Sequence, residues 1–358
     1  MQLGARARAL AEKLGDLSQL IRQGARTWAA IFVTGDYAAA TALAEQILEL
    51  VVIQGPSTGH LNFAHNAQVQ ARFYTGDFAG VEDHFARLSP LLDASRSPPG
   101  QNIIPIGVAS HTAWHLGRAE SARQRIARAM KLATKNQDPY DMAMALHFKG
   151  GLYYCWRAPR HAEAVATRLL SLSEANGFGY ASDLARVLLG WANSELGRAI
   201  EGVEMVRQGL AGLAAAGAKV GITYFLTLLA EAQVRAGDAE LALRTLDEAL
   251  TANPQERFWR PNTLTRRGER RLQLGQPELA EADFRDAIKT ARAMGNKALE
   301  LRAATSLARL LERHGDRLAA CENLAPIYAN FREGLRTPDL REAKLLLDRL
   351  PHEAVDKG

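Results

Sequence analysis

Cysteine is nearly missing from this chain. There are two in 358 residues, Cys155 and Cys321, far apart and without a CxxC partner. That excludes a disulfide framework and a thiolate zinc site, and it suits a reducing compartment. Aromatic residues make up only 7%. Ile, Val and Thr are thin beside Ala, Leu, Arg and Glu, a balance that favours helices over sheets. Long apolar runs are also lacking. The N-terminal stretch MQLGARARALAEKLGD holds none of signal-peptide length, and no window approaches a transmembrane span, so a soluble, cytoplasmic protein with no membrane partner is expected. The formal charge of +5 is spread over the whole chain without basic runs interleaved with aromatics, so nucleic acid is not an expected partner.

Catalytic signatures are absent in the same way. There is no GxxxxGK[ST] phosphate loop and no GxSxG elbow. Cys155 in YYCWR and Cys321 beside Ala320 have the surroundings of buried structural thiols. His111 and His115 in HTAWH share a helix face at a spacing that can chelate a metal, but no third ligand accompanies them, and His65 and His147 fall at other phases. No isolated carboxylate pair suggests glycosidase chemistry. No enzyme activity, cofactor or metal is therefore expected.

What the sequence has is a period. Gly35-Asp36, Gly76-Asp77, Gly117-Arg118, Gly197-Arg198, Gly237-Asp238, Gly275-Gln276 and Gly315-Asp316 recur about 40 residues apart, with one double gap. Pro159 in WRAPRHAEA is expected to take the turn position in that gap, which makes eight units. Each unit is helix, tight turn, helix: Gly suits the left-handed residue ending the first helix, and the following Asp can cap the second. Five residues after each turn stands a small residue, at Ala40, Ala122, Ala164, Gly202, Ala242, Ala280 and Ala320, with Val81 the larger exception. Seven before it comes another, at Ser110, Gly151 or Gly150, Gly190, Ala230, Gly268 and Ala308. Small side chains at both sites let the two helices approach closely.

Units six and seven, LLAEAQVRAGDAELALRTLDEAL and RRGERRLQLGQPELAEADFRDAI, resemble the tetratricopeptide pattern. The fold expected is an all-α, right-handed α-solenoid of about eight tetratricopeptide-like helix pairs. It forms one array over residues 1–358, with degenerate units in 1–105 and regular ones in 106–350. QGPSTGH (Gln54 to His60) and DASRSPPGQNIIP (Asp93 to Pro105) are expected to be loops between units.

From about Asn66 onward the chain resembles the C-terminal tetratricopeptide array of large bacterial signalling proteins. In those proteins an adenylate/guanylate cyclase or transcriptional-activator DNA-binding domain is joined to an AAA-like ATPase and then to the array. The carrying stretches are ERFWRPNTLTRRGERRLQLG, ALELRAATSLARLLERHGD and LAPIYANFREGLRTPDLREAKLLLDRL. Only that accessory region is covered, and Asn262 and Thr265 depart from the charged residues expected there. The resemblance implies a non-catalytic protein-interaction or effector-sensing module of a signalling or regulatory system. The alternative it implies is the detached regulatory tail of a separately encoded cyclase or ATPase. Met1 already lies in array-like sequence, so either a free-standing array or the tail of a split or truncated gene is expected.

In tetratricopeptide solenoids the first helix of each unit lines the concave face. Transferring those phases gives Asn66, Gln70 and Tyr74; then His111, Trp114 and His115; then Lys149, Tyr153, Trp156 and Arg157. Trp191 follows, then Tyr224, Thr227 and Glu231, and finally Arg302, Arg309 and Arg313. Trp114, Tyr153, Trp156 and Trp191 are expected to converge on units three to five, either as anchors for a protein segment or small effector or as filling between helices.

Overall fold

The computed structural model describes residues 17–55, 57–92 and 98–350. They form seventeen α-helices and no strand among the described residues. The helices pair as expected. α1 (Leu17–Val33) and α2 (Tyr37–Gln54) make the first unit, and α3 (Thr58–Thr75) and α4 (Phe78–Leu92) the second. α5 (Ile103–His115) with α6 (Ala119–Asn136), and α7 (Pro139–Cys155) with α8 (Pro159–Ala175), make the third and fourth. Then come α9 (Gly179–Glu195) with α10 (Ala199–Ala215) and α11 (Ile222–Arg235) with α12 (Ala239–Ala252). α13 (Arg260–Gln273) with α14 (Pro277–Ala293) and α15 (Lys297–Arg313) with α16 (Arg317–Tyr328) complete the eight, and α17 (Pro338–Leu347) covers the last.

The turns explain the pairing. All seven turn glycines have positive φ, between Gly275 at 74° and Gly197 at 93°. At the six after Gly35, the same two backbone bonds close the first helix, as where Arg118 N donates to Ala113 O and Gly117 N to Trp114 O. Asp36, Asp77, Asp238 and Asp316 each accept a backbone N–H three residues on, at 2.9–3.1 Å, and so cap the second helix.

Unit four corrects one expectation. Its left-handed residue is Arg157 (φ 54°), and Pro159 is the first residue of α8. The turn therefore lies two residues earlier than the proline suggests, because proline is pre-shaped for a helix N-terminus rather than for positive φ. The small-residue site moves with it: Ala162 is fully buried and Ala164 exposed. Elsewhere the small sites behave as expected. A Cβ on Gly190 would come within 2.5 Å of the Gly202 carbonyl, and one on Gly202 would strike the Gly190 carbonyl, so α9 and α10 meet backbone to backbone.

Two other expectations change. The loop at Gln54–His60 is shorter, since α3 already begins at Thr58. In the second loop, residues 93–97 lie outside the described residues, and Ile103 onward is helical. Tyr37–Gln54 reaches a mean hydropathy of 1.2 over 18 residues, long and apolar enough to cross a membrane by those measures, contrary to the sequence expectation. Here its stripe Tyr37, Ala40, Ala44, Ile47 and Val51 is buried in a cluster with residues of α1 and α3.

First helices pack on first helices from unit to unit, and α15 also touches α5. The solenoid therefore coils back on itself. Lys219 N donates to Val33 O (2.9 Å), Asn253 Nδ2 to Gly35 O (2.9 Å), and Ala38 N to Gln255 Oε1 (2.7 Å). Glu333 accepts the N–H groups of Glu120 and Ser121 at the start of α6 (3.0 and 3.4 Å). Unit one thus meets the flanks of unit six, and unit three meets unit eight.

Candidate ligand-binding site

The return of the coil encloses an axis, and the segment between α12 and α13 enters it. Arg257 N and Phe258 N both donate to Tyr74 O, at 2.8 and 3.2 Å. Phe258 and Trp259 are then buried, Trp259 to 1% exposure. The Trp259 ring meets Tyr224 (5.1 Å), Tyr154 (5.6 Å), His115 (5.7 Å) and Trp114 (6.2 Å). This ring cluster separates a charged channel on one side from an apolar chamber on the other.

The charged channel runs along α9, α11, α13 and α15 and has a free volume of about 340 Å³ at its widest. Six arginines (Arg157, Arg235, Arg266, Arg270, Arg302, Arg309) and five carboxylates (Glu195, Glu231, Glu269, Asp339, Glu342) line this region and the cleft beside it. Arg266 pairs with Glu231 (2.7 Å) and Glu269 (3.0 Å). Burial disfavours the Arg266 charge, but those carboxylates more than offset it and hold its pKa well above the usual arginine value. Glu269, which burial would push up, is held below its ordinary pKa chiefly by Arg266. Glu231 also accepts from Trp191 Nε1 (2.8 Å) and Tyr154 Oη (2.9 Å).

Arg270 is the least compensated of the six. Its nearest carboxylate, Glu269, stands at 3.9 Å, and burial lowers its pKa. At the end of the channel, Arg157 and Arg309 both pair with Glu342 of α17, Arg157 at 2.5 Å. Arg302 pairs with Asp339 at 2.8 Å, donates to Cys155 O, and lies 5.0 Å above the Trp114 ring.

The sequence-selected residues divide between several places. Arg157, Trp191, Glu231, Arg302 and Arg309 line the charged region, and Arg313, exposed, lines its outer end. His111, Tyr74 and Tyr224 line the apolar chamber. Trp114 (5% exposed) and His115 (0%) are interior, His115 stacked on Phe78 at 4.7 Å. Thr227 is buried against Thr263 (2.8 Å), and Asn66 is buried and holds Gln70 (3.0 Å).

Lys149, Tyr153 and Trp156 do not join Trp191. Tyr153 packs on His161 (5.1 Å) and Trp156 (5.9 Å), Lys149 sits 5.9 Å over the Tyr153 ring, and Arg123 of α6 covers Trp156 at 5.2 Å. The two-residue displacement of the turn is the cause. Two residues turn a helix by about 200°, so the positions equivalent to Trp191 and Ser194 in unit four are Gly151 and Tyr154 rather than Tyr153 and Trp156. The expected convergence of four rings on one groove is absent.

The groove phases read from the sequence do not single out Glu195, Arg235, Arg266, Glu269, Arg270, Asp339 or Glu342. Glu269 falls at the phase of Trp191 and Glu231, and Arg235 at that of Glu195, so consistent transfer from the turn glycines finds them. Nothing in the sequence brings α17 to Arg157. His111 and His115 form no metal cage: His111 Nε2 bonds to Phe148 O (2.9 Å), and no group of three or more His, Cys, Asp or Glu is set to hold a metal among the described residues.

No protein-family model matches the chain, and no curated protein matches it with significance. Solved structures do. The Rap protein complexed with competence and sporulation factor is 12% identical, with a TM-score of 0.59 over 93% of this chain and 97% of that one. NprR in complex with its cognate peptide NprX is 13% identical, with a TM-score of 0.54 over 93% and 97%. The Cut9–Hcn1 assembly of APC/C is 15% identical, with a TM-score of 0.54, and its match covers 96% of this chain but 58% of that one. Identities this low establish shared architecture, and the architecture is a tetratricopeptide-type α-solenoid.

Proposed function

We propose that this chain is a non-catalytic interaction or sensor module that holds an extended protein segment in the charged channel. The observation that carries the reading is the channel itself. Arg235, Arg266 and Arg270, interleaved with Glu195, Glu231 and Glu269, lie beside the apolar surfaces of Trp191, Leu246 and Val234. Alternating charge over an apolar floor suits a peptide, whose backbone and mixed side chains need donors, acceptors and contact area together. The Rap and NprR structures, which share the fold, are complexes with competence and sporulation factor and with a cognate peptide. A bacterial signalling role, with a separately encoded cyclase or ATPase as partner, is the narrower form of the reading. It draws on the resemblance that runs from about Asn66 onward and is tested by co-purification with such a protein.

The direct experiment selects binding peptides from a displayed library and measures their affinity for the wild-type chain and for Arg270→Glu. Arg270 bonds to Gln273 (2.6 Å) and otherwise reaches only Glu269 (3.9 Å), so the two proteins are first compared by circular dichroism and melting temperature to establish that the reversed charge leaves the fold unchanged. A loss of at least tenfold supports the channel; equal affinity for both proteins rejects it.

A further inference from the structure

Across the ring cluster from the charged channel lies the second chamber, with about 50 Å³ of free volume. None of the sixteen residues lining it is Asp, Glu, Lys or Arg. Its walls are rings and aliphatic side chains, among them Phe73, Phe148, Phe225, Leu184 and Leu188. Two imidazoles interrupt them. His111, on α5, donates Nε2–H to Phe148 O (2.9 Å), which leaves Nδ1 as an acceptor. His147, on α7, has no hydrogen bond among the described residues. Burial pushes both down to about 4, so both are neutral at pH 7. The half-buried Phe148 ring lies between them, 5.8 Å from His111 and 5.1 Å from His147. Two glycines make the arrangement possible. A Cβ on Gly107 would strike the Phe148 ring, and one on Gly151 would lie 2.7 Å from His111 Cε1.

We propose that this chamber is a binding site for a small uncharged molecule carrying an apolar ring and one hydroxyl or N–H donor, with the donor bound by His147. A charged ligand finds no counter-ion there, and burying an unpaired charge is costly. A purely apolar ligand leaves the imidazole nitrogen dry and unpaired, which costs more than a formed hydrogen bond returns. Phenol matches both requirements. The free volume of about 50 Å³ is smaller than a benzene-sized cavity, so binding requires the half-buried Phe148 ring, seated against Gly107, to swing aside. The site is separate from the charged channel and does not depend on what the channel binds.

The test is calorimetric titration of the full chain at pH 7 with phenol, benzene and benzoate. Phenol is expected to bind saturably, about tenfold or more tightly than benzene, since a site built around a donor discriminates against the analogue lacking it. Benzoate is expected not to bind. His147→Phe keeps a ring in place and is expected to reduce phenol to the affinity of benzene. Phe148→Ala opens the wall and is expected to tighten phenol and benzene together. Absence of saturable phenol binding, benzoate binding as tight as phenol, or unchanged phenol affinity in both variants overturns the proposal.

Discussion

Trp259 is the residue whose removal most directly probes the closed coil. It stands on the segment that enters the axis, 1% exposed, in ring contact with residues of α5, α7 and α11. A buried aromatic of this size removes about 200 Å² from water, worth about 5 kcal/mol at 25 cal/mol per Å². Trp259 Nε1 has no acceptor among the described residues, and deleting that orphaned donor returns on the order of 1 kcal/mol. The cavity left behind adds to the cost. Trp259→Ala should therefore lose about 3–5 kcal/mol, while Trp259→Phe, which keeps a ring and removes the orphan, should lose about 1–2 kcal/mol. Urea unfolding followed by circular dichroism and by fluorescence measures both. Repeat arrays can unfold in stages, so the comparison holds only where the two probes give coincident transitions. A Trp259→Ala loss below about 1 kcal/mol would refute the view that the ring cluster joins successive turns of the coil.

At Gly237 and Gly275 a Cβ meets nothing within 4 Å, so Gly→Val there isolates the backbone penalty at φ 91° and 74°. Each should cost about 1–2 kcal/mol in thermal unfolding, and unchanged melting temperatures would contradict the turn assignment. His111, His147 and His115 are pushed by burial to about 4, 4 and 3, below the unfolded histidine value. Their neutral burial supports the fold above pH 6.5, and that support is lost as pH falls through 6.5 toward 4, where the unfolded chain binds more protons. A melting temperature that does not fall between pH 6.5 and 4 would contradict their burial. Purified protein should neither hydrolyse ATP nor form cyclic nucleotides, and turnover above a mock preparation would contradict the non-catalytic reading.

The repeat was legible because a turn glycine and two small-residue sites are local requirements. Gly190 and Gly202 are small for a reason that spacing alone exposes, namely that two backbones touch. The glycine-free turn misled because Pro159 is the conspicuous residue while Arg157 adopts the unusual conformation. That displacement carried the phases of Lys149, Tyr153 and Trp156 to the wrong helix face. The segment between α12 and α13 is not legible in the sequence for another reason. Glu256 to Trp259 lie between units, where connectors are normally at the surface, and only the coil's return makes the rings of Phe258 and Trp259 interior. The pairing of Arg157, Arg302 and Arg309 with α17 is equally non-local, set by superhelical curvature that no periodic pattern encodes. Trp191, Glu231, Arg302 and Arg309 lie along the channel because their phases are counted from their own turn glycines.

The measurement that bears most directly on the central claim is site-specific photo-crosslinking with a peptide selected for binding to the whole chain. A photoreactive residue replaces Arg235 in the channel in one protein and Ile200, 82% exposed on α10, in another. If the axis of the coil is the binding surface, the peptide crosslinks from position 235 and not from position 200. Crosslinking from position 200 with none from position 235 would move the binding surface to the outside of the solenoid and contradict the account.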